Sequence, residues 1–166
     1  MFDKEYIFYG KHATMVKKLT SKLSDELGTN IFATNYDVYR VAPIIGWIYN
    51  RKGSIDKTGD ITKIFTDKIR DEKDELIFNY RTLMPLVYSH MSSEEKLNIT
   101  FRLDDKDTER KSYDEVYNAY VLGGVEEIYE KIFNNASSTE EYIMNLYEFI
   151  MELNVRLYNI PNDYLD

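Results

Sequence analysis

Residues 34–53 read TNYDVYRVAPIIGWIYNRKG, and this stretch decides the predicted fold. Thr34 can accept a hydrogen bond from the backbone N–H of Asp37 while that carboxylate reaches back, a pairing that begins helices. Apolar residues then lie on nearly every side of the helix until the polar turn at residues 50–53. Because a helix that is apolar all round must be surrounded by protein, we expect residues 41–48 to be buried, with Trp47 as their anchor.

One proline and three glycines predict how this helix packs. Pro43 lies inside the helix and removes one backbone hydrogen bond, which predicts a bend. Gly46 can let a second helix approach closely. Gly123 and Gly124 lie inside a further predicted helix, from Ser112 to Phe133, where each costs about 1 kcal/mol relative to alanine. We therefore expect a tight helix crossing or a deliberate break at this pair of glycines.

Helix signals recur on both sides of this stretch. One predicted helix runs from Lys11 to Leu27 and is ended by Gly28. A second runs from Ile61 to about His90 and is broken near Asp71 or Pro85. Three more begin at pairs with the spacing of a capping box: Ser92 with Glu95, Ser112 with Glu115 and Ser138 with Glu141. No segment shows the sustained apolar and polar alternation of a sheet strand. The sequence therefore predicts an all-α fold, with residues 1–166 forming a single compact domain of six or seven helices.

The last predicted helix, Thr139 to about Asn159, carries a regular apolar stripe. Its members recur at steps of three and four residues: Tyr142, Ile143, Leu146, Phe149, Ile150, Leu153 and Leu157. This spacing places them along one face of a helix. We expect that face to dock on the rest of the domain.

Composition excludes several classes of protein. The 166-residue chain holds no cysteine, which excludes disulfide scaffolds, thiolate nucleophiles and sulfur-based zinc sites. Its N-terminus lacks the apolar run and the small-residue cleavage site of a signal peptide, and no later run approaches the roughly 20 apolar residues of a membrane span. We therefore expect a cytoplasmic protein without a membrane partner.

Charge is divided unevenly along the chain. Residues 1–103 hold 16 Lys and Arg against 14 Asp and Glu, whereas residues 104–166 hold 5 against 15. The net charge of -8 therefore arises in the C-terminal third. Such an asymmetry is typical of a binding surface, but it is also an ordinary means of staying in solution.

Few residues could carry catalysis. His12 and His90 are the only histidines, and their positions near predicted helix ends indicate surface or capping roles rather than a catalytic base. The densest carboxylate cluster lacks the turn glycine of a calcium-binding loop and is interrupted by basic residues, so we interpret it as a solvated loop. Its members are Asp104, Asp105, Asp107 and Glu109.

Phosphate-binding loops and dinucleotide-binding glycine motifs are also missing from the sequence. We therefore predict no catalytic, cofactor-binding or metal site and a protein that is not an enzyme. An enzyme that uses perturbed carboxylates is the remaining catalytic alternative.

Two segments resemble a known family: IFATNYDVYRVAPIIGWIYNRK at residues 31–52 and NAYVLGGVEEIYEKI at residues 118–132. The chain resembles small helical bacterial proteins associated with DNA phosphorothioation (Dnd) gene clusters. The matching positions are Phe32, Thr34, Gly46, Arg51 and Lys52 in the first segment, and Tyr120, Gly123 and Gly124 in the second. The resemblance implies an accessory role in prokaryotic DNA modification, restriction or phage defence, without a chemical activity.

Two binding hypotheses follow, and we expect them to use opposite ends of the molecule. A non-enzymatic accessory or adaptor protein would contact a partner protein, and weakly DNA, through a basic surface at Arg51, Lys52 and Lys57. An acidic inhibitor that mimics DNA would instead occupy the basic cleft of a nucleic-acid enzyme. The carboxylates of that second surface are Glu126, Glu127, Glu130, Glu140 and Glu141.

Overall fold

The computed structural model describes residues 2–24, 28–102 and 108–158. Its elements in chain order are β1 Tyr6–Tyr9, α1 Gly10–Leu19, α2 Asn35–Ile48, β2 Ile61–Ile64, α3 Thr66–Asp71, α4 Lys73–Val87, α5 Ser93–Leu97, a π-helix at Asn98–Arg102, α6 Thr108–Phe133 and α7 Thr139–Tyr158. The described residues therefore contain seven α-helices around one hydrophobic core, which confirms the predicted helical, single-domain class. No helix in these ranges has the length and apolar character needed to cross a bilayer.

The contact between α2 and α6 is a close crossing of two backbones. A Cβ atom added at Gly46 would overlap the carbonyl oxygen of Tyr120, and one added at Gly124 would overlap the carbonyl oxygen of Ala42. Both overlaps lie far inside the 3.0 Å that real Cβ atoms keep from other heavy atoms. The predicted tight helix crossing is therefore confirmed, and Gly123 and Gly124 do not break α6.

The turn after α2 is held against α6 in the same way. Asn50 adopts a positive φ of 48°, and the chain then runs so close to α6 that a side chain at Gly123 would overlap the backbone of Arg51. The backbone N–H of Gly53 donates to the carbonyl of Ala119 over 2.8 Å. Glycine at these positions thus fixes where the basic residues of this turn lie.

Two short strands correct the expectation that the fold holds no sheet. β1 and β2 pair antiparallel, with Tyr6 opposite Ile64 and Tyr9 opposite Ile61. Each strand has only four residues, too few to show a sustained alternation. Ile61 and Ile64 also have the spacing of a helix face, so the sequence pattern favoured a helix where the tertiary structure pairs two strands.

Burial in α2 is less complete than predicted. Ala42, Ile45 and Gly46 are buried against α6, but Ile44 is 39% exposed and Trp47 is half-buried. The prediction that residues 41–48 form a fully buried segment is therefore wrong. The close approach to α6 uses one side of α2, so the opposite side reaches solvent although its residues are apolar.

Most predicted helix starts are confirmed, and the errors concern the elements between them. The capping boxes of Thr34 with Asp37 and Ser92 with Glu95 are both formed, and Ser138 and Glu141 exchange hydrogen bonds before α7. Ser112 with Glu115 is not a helix start, because α6 is already helical from Thr108.

The first helix is shorter than predicted, because α1 ends at Leu19. Gly28 has a positive φ of 60° but does not follow a helix that continues from α1. The predicted break near Asp71 is confirmed between α3 and α4, whereas Pro85 lies inside α4.

Replacing Gly124 with alanine tests the helix crossing. Alanine normally stabilises a helix relative to glycine, but here its methyl group would collide with the backbone of α2. We expect Gly124→Ala to lower the free energy of unfolding by about 3 kcal/mol or more, measured by urea denaturation. Ser112→Ala, at an exposed position of the same helix, should change it by less than about 1 kcal/mol; equal stability of the two variants would contradict the crossing.

Candidate functional site

Arg51 occupies the centre of a charge cluster on α6. Its guanidinium donates to Glu126 at 3.1 Å, to Glu127 at 3.0 Å and to Glu130 at 2.6 Å. These three carboxylates lie on α6, and their spacing of one, three and four residues places them on one side of the helix. Arg51 reaches all three because the turn at residues 50–53 lies directly against α6.

The same cluster extends to the start of α1. Lys11 Nζ and His12 Nε2 each lie 2.8 Å from Oε1 of Glu126, whose other oxygen faces Arg51. Glu126 is 7% exposed and His12 is 1% exposed. We refer to six residues as the Arg51 cluster: Lys11, His12, Arg51, Glu126, Glu127 and Glu130. The expectation of a surface or capping role for His12 is therefore wrong, whereas His90 is exposed after the end of α4.

The pKa shifts in the Arg51 cluster indicate which groups carry charge. Burial lowers the pKa of His12 and outweighs the hydrogen bond to Glu126, which would raise it. Burial alone would raise the pKa of Glu126, but hydrogen bonds from Lys11, His12 and Arg51 hold that pKa below its usual value. Since an ionised carboxylate can only accept, the neutral imidazole carries its proton on Nε2 and donates it to Glu126.

The structure brings together residues that the two binding hypotheses assigned to opposite ends of the molecule. Arg51, from the predicted basic surface, is the direct partner of Glu126, Glu127 and Glu130 from the predicted acidic one. The expectation of two separate surfaces is therefore wrong. The sequence could not show this, because about 75 residues separate the partners and only the α2–α6 crossing makes them neighbours.

The remaining predicted contact residues lie apart from the Arg51 cluster. Lys52 is exposed and its Nζ lies 5.0 Å from the ring centroid of Tyr120, and Lys57 is exposed in the loop before β2. Glu140 and Glu141 are exposed in the first turn of α7. The carboxylate of Glu141 accepts from the backbone N–H groups of Ser137 and Ser138, so it caps the helix.

A small cleft of about 220 Å³ adjoins the Arg51 cluster at His12. Its lining residues are Tyr6, Ile7, Tyr9, His12, Ile55, Asp56, Asn118 and Leu122. The Tyr6 hydroxyl donates to Oδ1 of Asn118, and Asp56 accepts two hydrogen bonds from Thr58. Tyr6, Asn118 and Asp56 therefore already have hydrogen-bonding partners, and the carboxylate that orients His12 is itself paired with Lys11 and Arg51.

Metal binding has no support among the residues that the structure describes. Within residues 2–24, 28–102 and 108–158, no group of three or more His, Asp or Glu could hold a metal ion. Asp104, Asp105 and Asp107 of the predicted carboxylate cluster lie outside the described residues, and Glu109 lies in the first turn of α6.

The most extensive candidate surface is the outer side of α7. Phe149 is the one residue of this helix that is buried, although Tyr142, Leu146 and Leu153 pack partly against the core. Eight large apolar side chains of α7 are between 44% and 86% exposed, Val155 among them, and the other seven form what we call the α7 apolar face: Ile143, Met144, Tyr147, Ile150, Met151, Leu157 and Tyr158. Contiguous exposed apolar surface of this kind is typical of an interaction site.

The apolar stripe predicted from the sequence covers only half of the apolar surface of this helix. Ile143, Ile150 and Leu157 were expected to dock on the domain, but all three are at least 44% exposed. Met144 and Met151 were missed, although their seven-residue spacing in the sequence was a signal for a second apolar stripe. A helix with two apolar stripes can dock with one of them and present the other.

Removing Arg51 tests whether the cluster stabilises the fold. We expect Arg51→Ala to lower the free energy of unfolding by about 2–4 kcal/mol, because it leaves the buried carboxylate of Glu126 with fewer partners. Urea denaturation measures this change. Lys57→Ala is the matched control, since that side chain is exposed, and it should shift stability by at most about 0.5 kcal/mol. An equally small effect of Arg51→Ala would show that the cluster is not structural.

The buried histidine predicts a pH dependence of stability. The unfolded chain protonates His12 near its ordinary pKa of 6.5, whereas the folded chain does so only at lower pH. Below that ordinary pKa the unfolded state binds more protons, so stability falls as the pH falls, with a slope of at most about 1.4 kcal/mol per pH unit. Between pH 7 and 5.5, urea denaturation of wild type should show this loss and His12→Gln should not. Parallel curves would contradict the assignment of a neutral His12.

Comparison with known proteins identified no relative of this chain. A scan against protein-family models, a search of curated proteins and a search of solved structures each found no match to this chain.

Proposed function

We propose that this chain is a non-enzymatic accessory or adaptor protein that acts through protein contacts, and that the α7 apolar face makes those contacts. The observation that carries the proposal is the exposure of seven large apolar side chains along one helix. Leaving such residues in water forgoes roughly 25 cal/mol for each Å² of apolar surface that a partner could cover. A binding role explains why the helix keeps them.

The setting that we propose is a prokaryotic DNA modification, restriction or phage-defence system. The resemblance to Dnd-associated proteins supports it through Gly46, Gly123 and Gly124 in particular. Gly46 and Gly124 form the backbone crossing of α2 and α6, and Gly123 lies against the turn at Arg51, so the resembling positions carry packing rather than chemistry. Matching positions that set packing, without a matching active site, suit an accessory role.

The alternative of an acidic DNA mimic has less support. Three of its five carboxylates, Glu126, Glu127 and Glu130, already pair with Arg51. A carboxylate that pairs within its own chain presents little negative potential to the cleft of an enzyme. The same pairing removes Arg51 from the proposed basic surface, which leaves Lys52 and Lys57 for weak contacts with DNA.

The alternative of an enzyme also has less support. His12 is the histidine nearest to a cleft, but its neighbour Glu126 is held by two further cations. A general base needs a substrate proton within hydrogen-bond reach and a partner that can stabilise its protonated form. Glu126 already faces Lys11 and Arg51, so this arrangement favours a structural role for the pair.

Affinity purification from the native host tests the adaptor proposal. We expect the tagged wild-type chain to recover a product of a gene adjacent to its own, and we expect Met151→Glu to lose it, because the variant places a charge in the middle of the α7 apolar face. Quantitative mass spectrometry measures both amounts.

Phe78→Glu is the matched control for that experiment. Phe78 is 68% exposed on α4, so its replacement introduces the same charge at an exposed apolar position outside α7. The control should recover the partner as wild type does. Equal recovery by the Met151 variant would remove α7 as the contact surface, and the absence of any neighbouring gene product would contradict the adaptor function.

A further inference from the structure

We infer that the α7 apolar face binds the same face of a second copy of this chain, as an antiparallel pair of helices related by a two-fold axis. This inference rests on the proposed function: the α7 apolar face forms the contact between two copies, and the resulting dimer is the form of the adaptor that binds the product of the neighbouring gene. The spacing of the exposed residues, their symmetry, their area and the charges at the helix ends support a self-contact.

The spacing of the exposed residues is that of a helix that packs along another helix. Met144, Tyr147 and Met151 are separated by three and four residues, and Tyr158 follows Met151 by seven. These steps are the a and d positions of a heptad repeat, in which each side chain inserts between residues of a facing helix. The side of α7 that packs on the core uses a different set, centred on Phe149.

The same residues complement themselves under a two-fold rotation. In an antiparallel pair, an axis near residue 149 places Tyr147 opposite Met151 of the second copy. It also places Met144 opposite the exposed Asn154, and Glu140 opposite Tyr158, whose hydroxyl can donate to that carboxylate. A single axis therefore forms each of these contacts twice, as a symmetric dimer interface requires.

The area of the α7 apolar face is sufficient for a specific dimer. Seven large side chains of about 150–200 Å² each, roughly half exposed, offer about 600 Å² per copy. Two copies would bury roughly 1,200 Å², which is the lower end of the range for specific interfaces. The expected affinity is therefore modest, with a dissociation constant in the micromolar range.

Charge determines the direction of the pair. Glu140 and Glu141 are exposed in the first turn of α7, so a parallel pair would place four carboxylates together. An antiparallel pair of 20-residue helices separates the two acidic turns by roughly 25 Å, well beyond the Debye length of about 8 Å at physiological salt. Repulsion between the copies is then screened, and the antiparallel arrangement is favoured.

Analytical ultracentrifugation of the purified 166-residue chain tests the dimer. We expect a reversible monomer–dimer equilibrium for wild type and for Phe78→Glu, and an increase of at least about a hundredfold in the dissociation constant for Met151→Glu. Met151→Leu should retain the dimer, and circular dichroism should show that every variant keeps its helices. A wild-type chain that stays monomeric, or a dimer that Met151→Glu leaves intact, would overturn the inference.

Crosslinking tests the direction of the pair, since the natural chain holds no cysteine. Ile150→Cys lies beside the proposed axis, so a short bis-maleimide should link two copies of this variant. Glu140→Cys should remain unlinked because the two helix starts are far apart. A parallel pair would link both variants, and that result would overturn the antiparallel arrangement.

The two proposals fail in different ways. If wild type is monomeric but Met151→Glu still loses the product of a neighbouring gene, a different protein occupies the α7 apolar face, and the adaptor function stands without the dimer. If wild type is monomeric and Met151→Glu loses nothing, both proposals are wrong. A dimer that depends on Met151 supports the inference, whichever neighbouring product is recovered.

Discussion

The crossing of α2 and α6 requires that two backbones touch without side chains between them, and Gly46 and Gly124 provide the two gaps. Dispersion contacts between closely packed atoms are individually weak, but they accumulate where backbones meet over several residues. The gain compensates for the cost of glycine inside a helix. α1, α4 and α7 then pack around this pair and complete one core.

The position of Arg51 is a consequence of that crossing. The turn after α2 passes close to Gly123, and the guanidinium therefore lies within hydrogen-bonding distance of the carboxylates of α6. A nearly buried carboxylate such as Glu126 is tolerated only with hydrogen-bonding partners, and it receives three of them from two distant parts of the chain. Three carboxylates of the acidic C-terminal third therefore pair with Arg51 within the molecule. For this reason the uneven charge of the sequence does not describe a surface that is free to bind a partner.

The outer side of α7 differs from the Arg51 cluster, whose charged groups are paired within the chain. Its polar ends are engaged, since Glu141 caps the helix and Glu152 pairs with Lys131 and Arg156, yet its middle presents Tyr147 and Met151 to solvent. Apolar surface of this size is not needed to hold α7 on the core, because Phe149 and its neighbours do that. The free energy available from covering it makes association the simplest role for this helix.

Local spacing and the size of single residues were enough to predict the helical class, the caps at Thr34, Ser92 and Ser138, and either a tight crossing or a break at Gly123 and Gly124. Only the packed structure shows that two backbones cross there and which distant residues become neighbours. It paired Arg51 with Glu126, buried His12 and joined two four-residue strands. Such contacts join positions far apart in the chain, and no local pattern encodes the path that brings them together. It likewise decided which stripe of α7 is covered, since both stripes are apolar and only the shape of the core distinguishes them.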